Sequence, residues 1–264
     1  MNNSKKLLAG KVAVVTGSTQ GLGAAIATRY VGEGAKVILS GRSAKNGAAI
    51  AKKLGKNAIY QETDLARVED CKRLIDVALK TFGGVDVLVN CAADTSRSTV
   101  DNFTPEFFDR QIAINLRAPL LLAQYAVASL RKRQGVIINI GSVNAFMGEP
   151  RLLVYASTKG ALQTASRNLA HFLKFDRVRV YCLNVGWMDS EGERTMMKRL
   201  GHPDDFIDRE GKRWPLGRIL KPSEIAEFCL FLASQKAAAF SGQVIELEQF
   251  PTGPLGPPQK TGVT

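Results

Sequence analysis

Thr16-Gly17-Ser18-Thr19-Gln20-Gly21-Leu22-Gly23 joins an apolar run of strand length, Lys11–Thr16, to an alanine-rich stretch of helical length, Gly21–Gly34. The three glycines have separate uses. Gly17 permits a tight turn, Gly21 lets the backbone approach a phosphate group, and Gly23 lets the helix pack close to the strand. The unpaired N–H groups and the positive dipole end of the following helix favour an anion. Strand, glycine turn and helix in this order predict the start of a βαβ unit with a pyrophosphate cradle at the turn.

The same alternation continues along the chain. Strand-length runs rich in Val and Ile recur at Lys36–Ser40, Ala58–Gln61, Val85–Asn90, Val136–Ile140, Val178–Leu183 and Gln243–Leu247. They are continuously apolar, as strands buried on both faces should be. Helical stretches lie between them: Ala44–Leu54 behind a Ser43 cap, Ala66–Phe82, Thr104–Gln134 with a kink expected at Pro119, Arg151–Lys174 and Pro222–Ser234. The pattern predicts one α/β domain over residues 1–250, a Rossmann-like, doubly wound, seven-stranded parallel sheet flanked by helices. Residues 251–264, with four prolines and three glycines, are expected to form a flexible tail. Trp187–Leu216 fits no strand and follows the carboxyl end of one, where ligands bind in such sheets, so a lid is expected there.

Composition narrows the function classes. The 264 residues are 45% hydrophobic and 23% charged, which excludes a disordered chain, a collagen and a coiled coil. Cys71, Cys91, Cys182 and Cys229 are far apart, with no CxxC and no Cys/His cluster, so neither a disulfide framework nor a metal site is expected. The longest apolar run, Ala118–Leu130, is shorter than a membrane span, and Lys11 interrupts the apolar stretch after Lys5 and Lys6. A cytoplasmic protein is expected. The net charge of +12 raises a nucleic-acid reading. Yet Arg131, Lys132 and Arg133 end a helix, where cations favour the dipole, and Arg209, Lys212 and Arg213 mix with Asp208 and Glu210. The expected partner is a small molecule drawn by the positive field, with no nucleic acid and no membrane.

The spacing Thr-Gly-x-x-x-Gly-x-Gly resembles the cofactor motif of the short-chain dehydrogenase/reductase family, and further features match in order between Lys11 and Leu247. Asp64 and Leu65 follow the third strand. Asn90-Cys91-Ala92-Ala93 ends the fourth, where the family usually has Asn-Asn-Ala-Gly. Asn115 lies in the long helix. Ser142 ends the fifth strand, thirteen residues before Tyr155, and Tyr155-Ala-Ser-Thr-Lys159 fits Tyr-x-x-x-Lys. Departures are Val185 in place of the proline of Asn-Pro-Gly, Ser190 near the family's threonine, and Glu248-Gln249-Phe250 for the usual Asp-Gly-Gly. The resemblance implies an NAD(P)-dependent oxidoreductase interconverting a secondary alcohol and a carbonyl, with Asn115, Ser142, Tyr155 and Lys159 as catalytic residues. It implies cofactor contacts at Gly17, Ser18, Thr19, Gln20, Gly21, Leu22, Gly23, Gly41, Arg42, Ser43, Asp64, Leu65, Asn90, Ala92, Tyr155, Lys159, Gly186 and Ser190. Lys159 is expected to bind the nicotinamide ribose, and Asn115 to hold a proton-relaying water. A homodimer or homotetramer built on Thr104–Gln134 and Arg151–Lys174 is also implied.

The chemistry can be argued from the residues themselves. Tyr155 and Lys159, four apart, share one helix face. A free phenol has a pKa of about 10, and bringing it near neutrality takes about 4 kcal/mol. One cation about 4 Å away at an effective dielectric of about 20 supplies that much. Lys159 is therefore expected to make Tyr155 a working acid–base, and Ser142 to hydrogen-bond the substrate oxygen.

The second strand ends Ser40-Gly41-Arg42-Ser43. A carboxylate there would accept from the adenosine ribose and repel a 2′-phosphate, but Gly41 stands in its place. Arg42 offers a planar fork, and Ser43 opens a helix whose N-terminus favours an anion. NADP is predicted over NAD. Candidate substrate residues are Asn144, Glu149, Trp187 and His202, in segments that also hold Arg97, Arg151, Phe146 and Met147. Their polarity suggests a sugar, polyol or hydroxy acid. Two other readings stand beside this one: a 3-oxoacyl or other ketone reductase, and an NADP-binding regulatory protein without turnover.

Overall fold

A computed structural model describes residues 6–250; the expected tail at 251–264 lies outside the described residues. Seven strands, β1 (Val12–Val15), β2 (Lys36–Gly41), β3 (Ala58–Glu62), β4 (Val87–Asn90), β5 (Val136–Ser142), β6 (Arg179–Val185) and β7 (Val244–Leu247), form one sheet in the order β3-β2-β1-β4-β5-β6-β7. Every pairing is parallel. Strand order reverses between β1 and β4, which opens a crevice at their carboxyl ends.

Both faces of the sheet are covered. Helices α1 (Gly21–Gly32) and α9 (Pro222–Ala233) cover one face, α3 (Val68–Phe82), α5 (Ala118–Arg133) and α6 (Leu153–Leu173) the other, and α2 (Ala44–Leu54) packs beside β2 and β3. Alternate side chains divide accordingly. Val15, Leu39, Val89 and Ile138 meet Ile26, Tyr30, Ile225 and Cys229 on the first face. Val14, Ile38, Leu88 and Ile137 meet Leu74, Ile75, Leu122 and Leu130 on the second. Two buried faces require an unbroken apolar strand, and each fully buried aliphatic side chain contributes about 1.5–3 kcal/mol. Buried Arg179 donates from Nη1 to the Leu232 carbonyl (2.8 Å) and to the Tyr181 hydroxyl (3.0 Å), setting a cation at the C-terminus of α9.

The stretch expected as one kinked helix, Thr104–Gln134, is built differently. It comprises α4 (Pro105–Ile112), a π-helical turn over Ala113–Arg117, and α5. The irregularity precedes Pro119, because a proline has no N–H to return to the carbonyl of Asn115 and the turn before it widens. Pro105–Arg133 is long enough to cross a membrane and contains an 18-residue window with a mean hydropathy of 1.2. Its buried Ala118, Leu122, Ala126 and Leu130 are spent on the core of the sheet.

Trp187–Leu216 holds two helices, α7 (Glu191–Arg199) and α8 (Phe206–Gly211), and a small core in which Met197 and Ile207 pack with Ile219 just beyond it. The residues that replace Asp-Gly-Gly hold both ends of this excursion. Glu248 Oε2 accepts from the Trp187 N–H (3.3 Å), and Gln249 Oε1 accepts from the Leu216 N–H (2.9 Å). Gln249 Nε2 donates to the Arg218 carbonyl (2.7 Å), and the Phe250 ring lies 4.7 Å from that of Trp214.

Candidate active site

The glycine turn forms the floor of the crevice. Gly17 and Gly21 have positive φ, 66° and 53°, which a side chain would strain. A Cβ on Gly17 would also come 2.8 Å from Ala92 Cα, where the turn passes the end of β4. Thr16 Oγ1 accepts the N–H groups of Cys91 (2.9 Å) and Ala92 (3.1 Å), and Ser18 Oγ accepts that of Ser40 (2.9 Å). These hydroxyls stitch the ends of β1, β2 and β4 into one rim. Gln20, the residue before α1, makes no side-chain cap, and the first turn of α1 holds no acidic residue. The helix N-terminus therefore keeps its N–H groups and dipole for an anion, so the turn fits the pyrophosphate of a dinucleotide. Leu22 is buried in the core and offers backbone alone.

At the end of β2, Arg42 is exposed and has no hydrogen bond or ion pair among the described residues. Ser43 Oγ caps α2 by accepting from the Asn46 N–H (3.3 Å). Asp64 Oδ1 accepts from the Ala66 N–H (3.0 Å), and Leu65 is buried under α3. The Asn90 side chain is turned inward and donates to Asn139 Oδ1 (2.7 Å).

The catalytic candidates converge at the end of β5. Asn144 donates to Ser142 Oγ from its backbone N–H (3.2 Å) and from Nδ2 (3.3 Å). Asn115, in the π turn, accepts from the Asp94 N–H (2.8 Å) and donates to Thr158 Oγ1 (3.2 Å), whose hydroxyl donates to the Tyr155 carbonyl (2.7 Å). One side chain thus ties the loop after β4 to the helix that carries Tyr155. Lys159 is buried; its Nζ donates to the Ile140 carbonyl (2.7 Å) and lies 5.6 Å from the centre of the Tyr155 ring. Burial pushes the Tyr155 hydroxyl up to about 12; a hydrogen bond with Ser142 pulls it partly back, and the charge of Glu193 adds to the rise. Burial also brings Lys159 down to about 8. The expectation that Lys159 lowers the phenol is corrected here. The ammonium is spent on a carbonyl, and desolvation outweighs it.

The excursion reaches over this floor. Ser190 Oγ caps α7 by accepting from the Glu193 N–H (3.1 Å), and a Cβ on Gly21 would lie 3.8 Å from Ser190 Cβ. An open cleft of about 270 Å³ lies between Gln20 and α7, lined also by Thr195, Met196 and Arg199. Gly186 packs so closely on Glu248 that a Cβ there would collide with the carboxylate. Among the substrate candidates, Trp187 Nε1 donates to Glu193 Oε1 (2.9 Å), and Glu149 pairs with Arg151 (2.9 Å). His202 stacks on Phe206, ring centres 3.9 Å apart, and makes no side-chain hydrogen bond to Tyr155 or Ser142 among the described residues. Sequence reasoning missed Glu193, a surface-like helix residue whose partners are Trp187 at the start of the excursion and Arg97 in the loop after β4.

A family model described as Enoyl-(Acyl carrier protein) reductase matches residues 17–249. The chain belongs to the short-chain dehydrogenase/reductase family. An uncharacterized oxidoreductase of Thermotoga maritima is 34% identical to this family member over 238 residues, 89% of this chain and 92% of its own. An NADP-dependent (R)-specific alcohol dehydrogenase of Lentilactobacillus kefiri is 32% identical over 89% of this chain and 94% of its own. The solved structure of L-sorbose reductase from Gluconobacter frateurii, complexed with NADPH and L-sorbose, matches with a TM-score of 0.86 at 29% identity, covering 93% of this chain and 97% of its own. This short-chain dehydrogenase/reductase is accordingly an oxidoreductase, with the family's Rossmann-like sheet.

Proposed function

We propose that the protein is an NADP-preferring enzyme that interconverts a secondary alcohol and a carbonyl on a small polar substrate, a sugar, polyol or hydroxy acid. The observation that carries this reading is the convergence of Tyr155, Ser142 and Lys159 beside an uncapped helix N-terminus. A bound reduced nicotinamide supplies a hydride to the carbonyl carbon. Tyr155, with its proton held to about 12, donates that proton to the carbonyl oxygen, which favours reduction at neutral pH. Ser142 steadies the oxygen as its charge develops. Lys159, charged below about 8, would hold the nicotinamide ribose and return the proton to Tyr155, with Asn115 as the residue that would place a relaying water. Glycine turn, Arg42 and Ser43 bind the dinucleotide. The named L-sorbose reductase and (R)-specific alcohol dehydrogenase support the class of reaction. The enzyme works as a homodimer or homotetramer joined through α5 and α6, whose exposed Leu120, Leu153 and Phe172 face outward.

The test is Tyr155→Phe, which removes the proton and keeps the ring. Turnover of a carbonyl panel with NADPH should fall by about 10²–10⁴ while NADPH affinity, read by fluorescence, stays near the wild-type value. Near-normal turnover in the variant would refute the role of Tyr155.

A further inference from the structure

Arg97 and Glu193 form a charged pair near the start of the helix that carries Tyr155. Arg97 lies in the loop after β4. Its neighbour Ser98 donates its N–H to the Arg151 carbonyl (2.9 Å) and bridges to Leu152, one residue before α6 begins. The loop is therefore fixed against the first turn of the helix that carries Tyr155. Glu193 comes from the opposite side, on the first turn of α7, whose capping Ser190 lies over the glycine turn, 3.8 Å from where a Gly21 Cβ would stand. The two side chains are about four-fifths buried.

The pair is loose. Arg97 Nη2 stands 3.6 Å from Glu193 Oε1, too far for a hydrogen bond. That oxygen already accepts from Trp187 Nε1 (2.9 Å). Arg97 Nε is buried with no acceptor, and Glu193 Oε2 has no donor among the described residues. Arg97 thus keeps a buried donor unused and Glu193 an acceptor without a donor, on side chains whose charged ends come within 3.6 Å of each other, and leaving a buried polar group unpaired is costly. The local charges cancel: Arg97 and Arg151 face Glu193 and Glu149. An incoming carboxylate would be a third anion against two cations. A hydroxyl suits such a pair, since one group can both accept from the guanidinium and donate to the carboxylate. Trp187, backed by Phe206 and Trp214, adds an apolar ring beside it.

We propose that Arg97 and Glu193 are a hydroxyl-reading subsite, and that the substrate is an uncharged polyhydroxy ketone or the corresponding polyol, with hydroxyls beyond the reacting carbon. This narrows the proposed function and rests on Tyr155 being the proton donor to the same substrate.

The test compares kcat/KM for a neutral ketose, its deoxy analogue, a 2-oxo acid and a 3-oxoacyl thioester, with NADPH, in the wild type, Glu193→Gln and Arg97→Met. Calorimetry of the polyol binding to each protein gives a second readout. The ketose should exceed its deoxy analogue by at least about tenfold, as expected where a site would be left with unpaired polar groups. Each variant should cut that ratio at least about tenfold, chiefly through KM, and weaken polyol binding in step. A ratio near one in the wild type, or one that neither variant changes, overturns the subsite while leaving the proposed reaction standing. Preference for the oxo acid lost in Arg97→Met would make Arg97 an anion anchor instead. No turnover of any carbonyl compound by the wild type would overturn the proposed function, and the subsite with it.

Discussion

Arg42 leaves β2 with a free guanidinium, whereas Arg29, Arg194 and Arg218 are each tied to carboxylates. A charge-assisted hydrogen bond to phosphate contributes about 1.5–3 kcal/mol, so fluorescence titration should give a roughly 10–100-fold preference for NADPH over NADH. Arg42→Ala should erase most of it; equal affinities in the wild type would contradict the assignment. Gly41→Asp is the less clean probe. A Cβ on Gly41 comes 2.7 Å from Thr19 Cγ2, so the carboxylate would enter with the Thr19 side chain displaced. Lys159 offers a different test. Burial lowers its pKa from 10.5 to about 8, so between those values the unfolded chain binds the proton that the folded chain has lost. Lys159 therefore makes stability rise with pH across this window. In urea unfolding, the wild type should gain on Lys159→Met from about pH 8 to 10.5, and a constant difference would deny the shift. The fall in the Lys159 pKa comes from burial among residues distant in sequence, with Cys182 and Cys91 acting in the opposite direction. That is why its spacing from Tyr155 could be read in advance and the fall of its pKa could not.

The helices and strands were legible where one period held. β2 and α2 begin where the Val/Ile run and the Ser43 cap put them. Thr104–Gln134 was harder, because a π turn keeps the apolar stripe continuous while shifting its phase. The excursion was visible as an absence of strand pattern, but its two helices depend on contacts with Glu248, Gln249 and Phe250, which no local rule connects to it. With its own small core, the excursion should open as a unit. In hydrogen exchange, amides of 187–216 should exchange faster than those of β5, and slow when NADPH and polyol are both added. Equal exchange with and without them would make it a plain surface layer.

At the scale of the whole molecule, the sheet order followed from unbroken apolar strands separated by helices, since right-handed crossovers leave few arrangements. The active site was legible as motifs and partly hidden as geometry. Tyr155, Ser142 and Lys159 stand in one helix and one strand end, but Arg97 and Glu193 meet only because a loop and an excursion fold over the same floor. Assembly is the remaining property of this scale. Light scattering should return two or four times the 28.6 kDa of one chain, and replacing Leu120 with a charged residue should lower that mass. A monomer in the wild type would remove α5 and α6 from any interface.

The clasp at 248–250 bears on how such a protein could be re-engineered. Residues 187–216 invite exchange for a relative's as a cassette that changes substrate. The cassette's two cut points are fastened by a carboxylate 61 positions downstream of the first and an amide 33 positions downstream of the second. A chimera carrying 187–216 alone would leave Glu248 and Gln249 facing foreign backbone, while one carrying 248–250 as well keeps both fastenings. The unit that can be transplanted is therefore discontinuous in sequence, and relatives should vary at these two places together.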